Sequence, residues 1–261
     1  MAAASERTLS VWEGKINARV KLAGAGPALV YLHSGYGLIW DDSLNLLARD
    51  FTVYAPEHPG TSEGDPNAIS HLDNLWDLIL YYYEMFDQLG LEAPALVGHS
   101  FGGMVAAELA ATNPRRVGKL VLIDPLGLWR DDAPIKNYMV TPQAELDPLF
   151  FHDPNHPARK LLFMNMEEAD SIIRVSWALA CSGKFIWPIP DKGLHKRTHR
   201  ITAPTLIIWG QQDGLVKPAY AEEFRQRIRG SRVEFVANAG HMAPLEQPAA
   251  VASLVRDFLR G

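Results

Sequence analysis

The sequence predicts an α/β fold, with an eight-stranded, mostly parallel sheet, helices on both faces and a helical cap insertion. Short apolar runs alternate with helical patterns along most of the 261 residues, which is typical of parallel strands joined by crossover helices. This length suffices for one large core and an added element. Because 48% of the residues are apolar and 21% are charged, a disordered, collagenous or coiled-coil chain is excluded.

Eight short segments have the composition of strands. Residues 9–14 and 15–22 are predicted to pair as an opening antiparallel hairpin. The other six are apolar runs of the kind found in buried parallel strands. They span residues 28–33, 51–56, 95–98, 119–124, 205–210 and 232–236. The sheet is therefore expected to be mixed, with its antiparallel part at the beginning of the chain.

Helical patterns fill most of the gaps between these strands. Residues 70–90 carry apolar side chains at three- and four-residue spacing, which predicts an amphipathic helix with one buried face. Further helices are predicted over residues 101–112, 217–229 and 247–260. Each of these places a crossover helix beside a predicted strand.

The regular alternation stops between residues 126 and 199. This stretch is rich in proline and contains two or three helical patterns. Its aromatic residues and methionines include Trp129, Phe150, Phe151, Phe163, Met164, Met166, Trp177, Phe185 and Trp187. We therefore predict a helical cap over residues 126–199, and a core made of residues 1–125 and 200–261. The alternative is that the stretch forms an ordinary helical layer of the core.

Charge and cysteine content exclude several classes of partner. The 25 basic and 30 acidic residues give a net charge of −5, which argues against nucleic acid as the main partner. The single cysteine, Cys181, excludes an intramolecular disulfide and disfavours a cysteine-based zinc site. The G-A-G at residues 24–26 lacks the context of a dinucleotide site. We expect no metal and no cofactor, and the oligomeric state stays open.

The N-terminal residues do not have the pattern of a signal peptide. In addition, no apolar run approaches the roughly 18 residues that a membrane span needs. We therefore expect a cytoplasmic protein with no membrane span.

The segment G-H-S-F-G at residues 98–102 carries the strongest chemical signal. It follows a predicted strand and opens a predicted helix, which is the context of a nucleophile elbow. Gly98 and Gly102 leave room for close backbone approach. The N–H groups of the new helix favour negative charge near Ser100. We predict that Ser100 is a nucleophile, which needs a base and an orienting acid.

Two later loops supply that base and acid. His241 lies in the loop after the last predicted strand, and Asp213 lies in the turn after the strand before it. The order Ser100, Asp213, His241 is the nucleophile–acid–base order of this elbow arrangement. Asp213 would hold the imidazole in the correct tautomer and stabilise imidazolium. Asp124, at the end of the 119–124 strand, is the competing candidate for the acid, although a turn or capping role fits it better.

An oxyanion hole needs two N–H donors. The backbone N–H of Phe101, directly after the nucleophile, is the first candidate. The second should come from the loop H-S-G-Y-G at residues 33–37, whose small residues let the backbone approach a ligand. We predict the N–H of Gly35 there, with that of Tyr36 as the alternative.

With these motifs, the chain resembles the serine-nucleophile, capped, esterase-like members of the α/β-hydrolase superfamily over almost its whole length. The resemblance implies the same triad and a helical cap, and it is specific for the fold rather than for the substrate. The matching segments are L-H-S-G-Y-G (32–37), A-P-E-H-P-G-T-S (55–62), V-G-H-S-F-G-G (97–103), W-G-Q-Q-D-G (209–214) and A-G-H-M-A-P-L-E-Q-P (239–248).

The sequence departs from the family pattern at three places. His33-Ser34-Gly35 stands where many relatives have His-Gly, which leaves the identity of the second oxyanion donor open. Glu57 replaces the usual aspartate of the A-P-D-x-P-G stretch, a change we interpret as structural. Met242 follows His241 where carbon–carbon bond hydrolases usually have tryptophan. A serine nucleophile also argues against the aspartate-based chemistry of haloalkane dehalogenases and epoxide hydrolases.

We predict a hydrolase that cleaves carboxylic esters of small to medium apolar or aromatic substrates through an acyl-enzyme. The partner is thus a small-molecule substrate. Three alternatives stay open: carbon–carbon bond hydrolysis or lactone opening, a hydroxynitrile-lyase-like reaction, and a ligand receptor that retains the triad. The candidate substrate-binding residues are Tyr36, Trp129, Trp177, Trp187 and Met242.

Overall fold

A computed structural model describes residues 4–61, 65–163 and 168–261 of the chain. Met164 and Met166, two of the apolar residues noted in the predicted cap, lie outside the described residues. Ser62, at the end of the A-P-E-H-P-G-T-S segment, lies outside them as well.

A single eight-stranded sheet forms the centre of the described structure and confirms the predicted fold class. Its strands are β1 (Ser5–Val11), β2 (Ile16–Ala23), β3 (Ala28–Leu32), β4 (Thr52–Pro56), β5 (Ala95–His99), β6 (Lys119–Ile123), β7 (Thr205–Gly210) and β8 (Arg232–Val236). They follow the order β1-β2-β4-β3-β5-β6-β7-β8. Strand β2 is antiparallel to β1 and β4, whereas all pairs from β4 to β8 are parallel.

The predicted hairpin is present, although its first strand already begins at Ser5. The chain turns at residues 12–14, which adopt positive φ angles. The parallel strands β3 and β5–β8 all carry their C-terminal ends to one edge of the sheet. The loops after these strands are therefore neighbours, and the predicted nucleophile, acid and base all lie on them.

Nine α-helices are present among the described residues. They are α1 (Asp42–Leu47), α2 (Leu75–Gln88), α3 (Phe101–Thr112), α4 (Gln143–Phe150), α5 (Arg159–Phe163), α6 (Ala169–Ile186), α7 (Ala219–Arg227), α8 (Ala243–Glu246) and α9 (Pro248–Arg260). The predicted helix over residues 70–90 begins only at Leu75. There the Asn74 side chain accepts the N–H groups of Trp76 and Asp77 and caps the first turn.

Alternate residues of each buried strand supply the cores on the two faces of the sheet. Val30 packs with α2 and α3 on one face, whereas its neighbours Leu29 and Tyr31 pack with α1 and α9 on the other. This two-sided burial explains why the parallel strands have continuous apolar sequences rather than alternating ones.

Helices α4–α6 lie between β6 and β7, where the regular alternation stops in the sequence. One face of α6 is buried against the core. A Cβ built on Gly60, in the loop after β4, would lie 2.7 Å from Cys181 Sγ. The Ser182 hydroxyl donates to the carbonyl oxygen of Gly35, in the loop after β3, at 3.4 Å. Helix α6 therefore covers the C-terminal ends of β3 and β4.

Candidate active site

The turn between β5 and α3 holds Ser100 in a constrained backbone conformation. Ser100 has φ 56° and ψ −116°, a region that residues other than glycine rarely adopt. Its N–H donates to the Ile123 carbonyl at 2.9 Å. A Cβ on Gly98 would lie 2.3 Å from the Gly102 carbonyl oxygen, and one on Gly102 would lie 2.1 Å from the Leu32 carbonyl oxygen. Both glycines are thus required for the backbone to approach so closely.

The structure brings Ser100, His241 and Asp213 together in one hydrogen-bonded chain. The distance from Ser100 Oγ to His241 Nε2 is 2.8 Å, and that from His241 Nδ1 to Asp213 Oδ2 is also 2.8 Å. All three side chains are buried, and the serine is 4% exposed. With Nδ1 donating to the carboxylate, Nε2 is free to accept the serine hydroxyl proton, which is the arrangement that activates a serine.

Backbone donors fix the orientation of Asp213. Its Oδ1 accepts the N–H groups of Leu215 and Val216, each at 2.9 Å. Because those two bonds occupy one oxygen, the other oxygen is directed at His241. The turn after β7 therefore presents the carboxylate as the sequence order predicts.

Asp124, the competing candidate for the acid, is bonded to the end of β7, whereas Asp213 is the carboxylate bonded to His241. Asp124 is fully buried at the end of β6 with φ 43°, and its Oδ1 accepts the Gly210 N–H at 2.8 Å. Burial and the nearby negative charge of Asp213 raise the pKa of the Asp124 carboxyl well above its usual range. This bond to Gly210 gives Asp124 a role in anchoring the end of β7.

Two neutral histidines hold the loop that carries Gly35. The His58 N–H donates to His33 Nε2 at 2.9 Å, and His58 Nε2 lies 2.7 Å from the His33 carbonyl oxygen. His33 Nδ1 lies 2.6 Å from the Ser34 carbonyl oxygen. Burial lowers the pKa of His33 well below its usual range and that of His58 to about 4. His58 was missed by sequence reasoning, because its partner lies 25 residues away.

Residues from the predicted cap lie directly over Gly35. A Cβ at this position would be 2.8 Å from Ser182 Oγ and 3.0 Å from the Tyr138 hydroxyl. Phe101, whose N–H is the other predicted donor, begins α3 and packs its ring against Phe185 of α6 at 6.3 Å between centroids. Both predicted oxyanion positions are therefore buried beneath α6. Tyr138 and Ser182 carry no sequence motif that would have marked them.

The predicted substrate-binding residues separate into two groups. Tyr36 and Met242 are buried, and both are near His241. The Tyr36 ring lies 5.1 Å from that of Phe150, which lies 5.6 Å from the His241 ring, while Met242 directly follows the histidine. Phe150 was noted only as part of the apolar insertion, since nothing in the sequence indicated its contact with the imidazole.

The three tryptophans lie elsewhere. Trp129 is half-buried and its indole N–H donates to Asp131 at 2.9 Å. Trp177 and Trp187 are 44% and 54% exposed. They line two separate surface grooves of about 680 and 440 Å³, and the walls of neither groove include Ser100 or His241.

Two kinds of feature are absent from the described residues. No helix in that part of the chain is long and apolar enough to cross a membrane. Within the same residues, no cluster of three or more His, Cys, Asp or Glu side chains could hold a metal ion.

Comparison with known proteins agrees with this architecture. Residues 29–254 match the model of the alpha/beta hydrolase family. The chain is 30% identical over 259 residues to the dihydrolipoyllysine-residue acetyltransferase component of the acetoin cleaving system of Cupriavidus necator, covering 94% of this chain and 67% of that protein. It is 26% identical over 257 residues to monoacylglycerol lipase abhd6-B of Xenopus laevis, covering 90% and 76%.

Among solved structures, 2-hydroxy-6-oxo-6-phenylhexa-2,4-dienoate hydrolase from Rhodococcus sp. strain RHA1 superposes with a TM-score of 0.81. The two are 21% identical, and the alignment covers 99% of each chain. At this identity the likeness concerns the fold. Together with the match over residues 29–254, it shows that the chain belongs to the alpha/beta hydrolase family.

Proposed function

We propose that this chain is a serine hydrolase that cleaves carboxylic esters of small to medium apolar or aromatic substrates. The observation that supports this most is the continuous chain of hydrogen bonds from Ser100 through His241 to Asp213, with both bonds at 2.8 Å. This arrangement can remove a proton from the serine hydroxyl as the hydroxyl attacks a carbonyl carbon.

In the proposed acylation step, Ser100 Oγ attacks the ester carbonyl and its proton passes to His241 Nε2. The carboxylate of Asp213 stabilises the imidazolium through Nδ1. The N–H groups of Phe101 and Gly35 would stabilise the oxyanion, and the loss of one such donor costs roughly 3 kcal/mol of transition-state stabilisation. His241 then protonates the leaving alcohol, which departs as the acyl-enzyme forms.

Deacylation reverses these roles. His241 removes a proton from a water molecule, which attacks the acyl carbon, and Ser100 regains its proton as the acid product leaves. No step requires a cofactor, because the nucleophile, base and acid all come from this chain.

We further propose that residues 126–199 act as the cap and that its apolar side chains select the substrate. Tyr36 and Met242 are the best-placed wall residues, because Tyr36 is buried against Phe150, whose ring contacts the His241 ring, and Met242 directly follows His241. Trp177 and Trp187 would take part only along the path by which a substrate enters, since they line grooves whose walls include neither Ser100 nor His241.

Carbon–carbon bond hydrolysis is the second candidate function. The superposition on the Rhodococcus dienoate hydrolase favours it, because the same triad and fold can serve that reaction. Met242, in the place of the tryptophan usual in such enzymes, argues for the ester reaction instead.

The experiment is hydrolysis of a chain-length series of p-nitrophenyl esters by the wild-type protein and by Ser100→Ala. Repeated turnover by the wild type and its loss in the variant are expected. Equal, background-level rates for both proteins would overturn the proposal. A dienoate substrate assayed in parallel, and cleaved much faster than any ester, would favour the second candidate.

A further inference from the structure

A buried carboxylate connects the loop of His241 to the predicted cap. Glu246 ends α8 and is 6% exposed. Its Oε2 accepts the N–H of Gly240 at 2.6 Å. Its Oε1 accepts the N–H groups of His152 and Asp153 at 2.8 and 3.2 Å. A buried carboxylate needs such donors, and here they come from two chain segments about 90 residues apart.

The C-terminal end of α4 also contacts both loops of the triad directly. The Leu149 carbonyl accepts the N–H of Gly214, which follows the predicted acid, at 3.1 Å. The Phe150 carbonyl accepts the N–H of Met242 at 3.0 Å. The Phe150 ring meets the His241 ring edge-on at 5.6 Å between centroids. Residues 149–153 therefore support the acid and the base together.

We infer that Glu246 is a positioning residue for His241. By holding the Gly240 N–H against residues 149–153, it fixes the loop on which the imidazole must reach Ser100 and Asp213 at once. This inference rests on the proposed role of His241 as the base. A displacement of about 1 Å in a catalytic side chain can lower the rate roughly a hundredfold. The contacts of Glu246 should therefore affect the rate of the reaction as well as the stability of the fold.

Two substitutions disturb this contact from opposite sides. Glu246→Gln keeps the side-chain length but places an amide NH₂ against a backbone N–H that now lacks an acceptor. Gly240→Ala adds a Cβ that would lie 2.7 Å from the Phe150 carbonyl oxygen and 2.9 Å from the His152 nitrogen. The second change leaves all charges in place. If Glu246→Gln does not fold, Gly240→Ala still tests the inference.

Both variants are expected to lower kcat by about tenfold or more, because a displaced imidazole no longer reaches Ser100 and Asp213 at once. The NMR resonance of the His241 Nδ1–H proton should move upfield in both, because a displaced ring forms a weaker hydrogen bond to Asp213. KM for p-nitrophenyl acetate should change little, since so small an ester makes few contacts with the cap.

Glu108→Gln is the matched control. Glu108 is also a buried carboxylate, on α3, and its oxygens accept two bonds from Arg197 at 2.9 and 2.6 Å. It lies away from the His241 loop. Its substitution should lower the thermal unfolding temperature but leave kcat and the Nδ1–H resonance of His241 unchanged.

The measurements are kcat and the NMR chemical shift of the His241 Nδ1–H proton. The NMR measurement needs no substrate, so it tests Glu246 even if wild type and Ser100→Ala prove equally inactive on esters. The inference is supported if this resonance moves upfield in both variants and not in Glu108→Gln. Folded variants with a wild-type Nδ1–H resonance, or an equal change in the Glu108 control, would overturn it.

Discussion

Replacing Asp213 with asparagine should abolish most of the proposed activity while leaving the protein folded. The oxygen that accepts the N–H groups of Leu215 and Val216 at 2.9 Å must remain an oxygen, because an amide NH₂ there would face two donors. The new NH₂ therefore takes the place of the oxygen that lies 2.8 Å from His241 Nδ1. Two donors cannot share that contact, so Nδ1 must give up its proton.

The consequence for the reaction follows from the imidazole tautomer. The proton moves to Nε2, which then faces the Ser100 hydroxyl at 2.8 Å as a donor and cannot act as a base. The corresponding substitution in serine proteases lowers kcat about 10⁴-fold, which corresponds to about 5 kcal/mol of activation free energy. Because the two backbone bonds to the side chain survive, the loss of stability should stay within about 1–3 kcal/mol.

The assay compares kcat of wild type, Asp213→Asn and Asp124→Asn on the best p-nitrophenyl ester, with urea unfolding of each protein. Asp124→Asn is the matched control, because the buried Asp124 side chain, which accepts the Gly210 N–H, can be replaced by an amide of the same shape. Its kcat should stay within about tenfold of wild type at pH 7. Near wild-type turnover in Asp213→Asn, with Asp124→Asn inactive, would refute the reasoning and make Asp124 the acid.

Three further outcomes are expected. Gly35→Ala should lower kcat about a hundredfold by displacing an oxyanion donor, because its Cβ would lie 2.8 Å from Ser182 Oγ. Adding Ser182→Gly should restore part of that loss, and a double variant no better than Gly35→Ala would contradict the contact. The pKa of His58 is about 4 in the folded protein. As pH falls, the unfolded chain therefore binds a proton at His58 before the folded chain does. This difference should remove roughly 3 kcal/mol of stability as pH falls from about 6.5 to 4. Urea unfolding of His58→Gln should show a shallower loss over that range, and an unchanged slope would argue against a buried neutral His58. For Asp124 the sign is opposite, because its raised folded pKa favours folding most at pH below about 4. The stability of Asp124→Asn relative to wild type should therefore increase as pH rises above about 4, and a constant difference would contradict the raised pKa of Asp124.

The fold and the triad were predictable because both leave local signals in the sequence. Buried parallel strands must be apolar on both faces, so the run 119–124 could be identified without its neighbours. The serine elbow requires glycine at positions 98 and 102, where any Cβ would meet backbone at 2.3 Å or less. Chain order then identified Asp213 and His241, since the parallel strands carry successive loops to the same edge of the sheet.

The contacts that hold the loops of the candidate site together were not predictable, because they join residues distant in sequence. The short helix α1 (Asp42–Leu47) and the short α8 were missed, since one or two turns give too little periodicity to recognise. The carboxylate of Glu246 reaches His152 across 94 residues. Nothing in the sequence near either residue distinguishes a glutamate that makes this buried bond from a glutamate at the surface.

The tryptophans of the insertion show why composition alone cannot indicate which side chains face a site. An aromatic cluster beside a site predicts an apolar pocket only if the rings face the site. The direction of each ring depends on which face of its helix carries it, and the irregular sequence of the insertion did not show where its helices begin and end. In the structure, Trp177 and Trp187 face outward, whereas Phe150 contacts the imidazole. Phe150 also precedes the segment that Glu246 ties to the base loop. Phe150 therefore contacts the imidazole, and in the inference drawn above residues 149–153 also help to hold it, so a substitution there would change the position of the His241 ring.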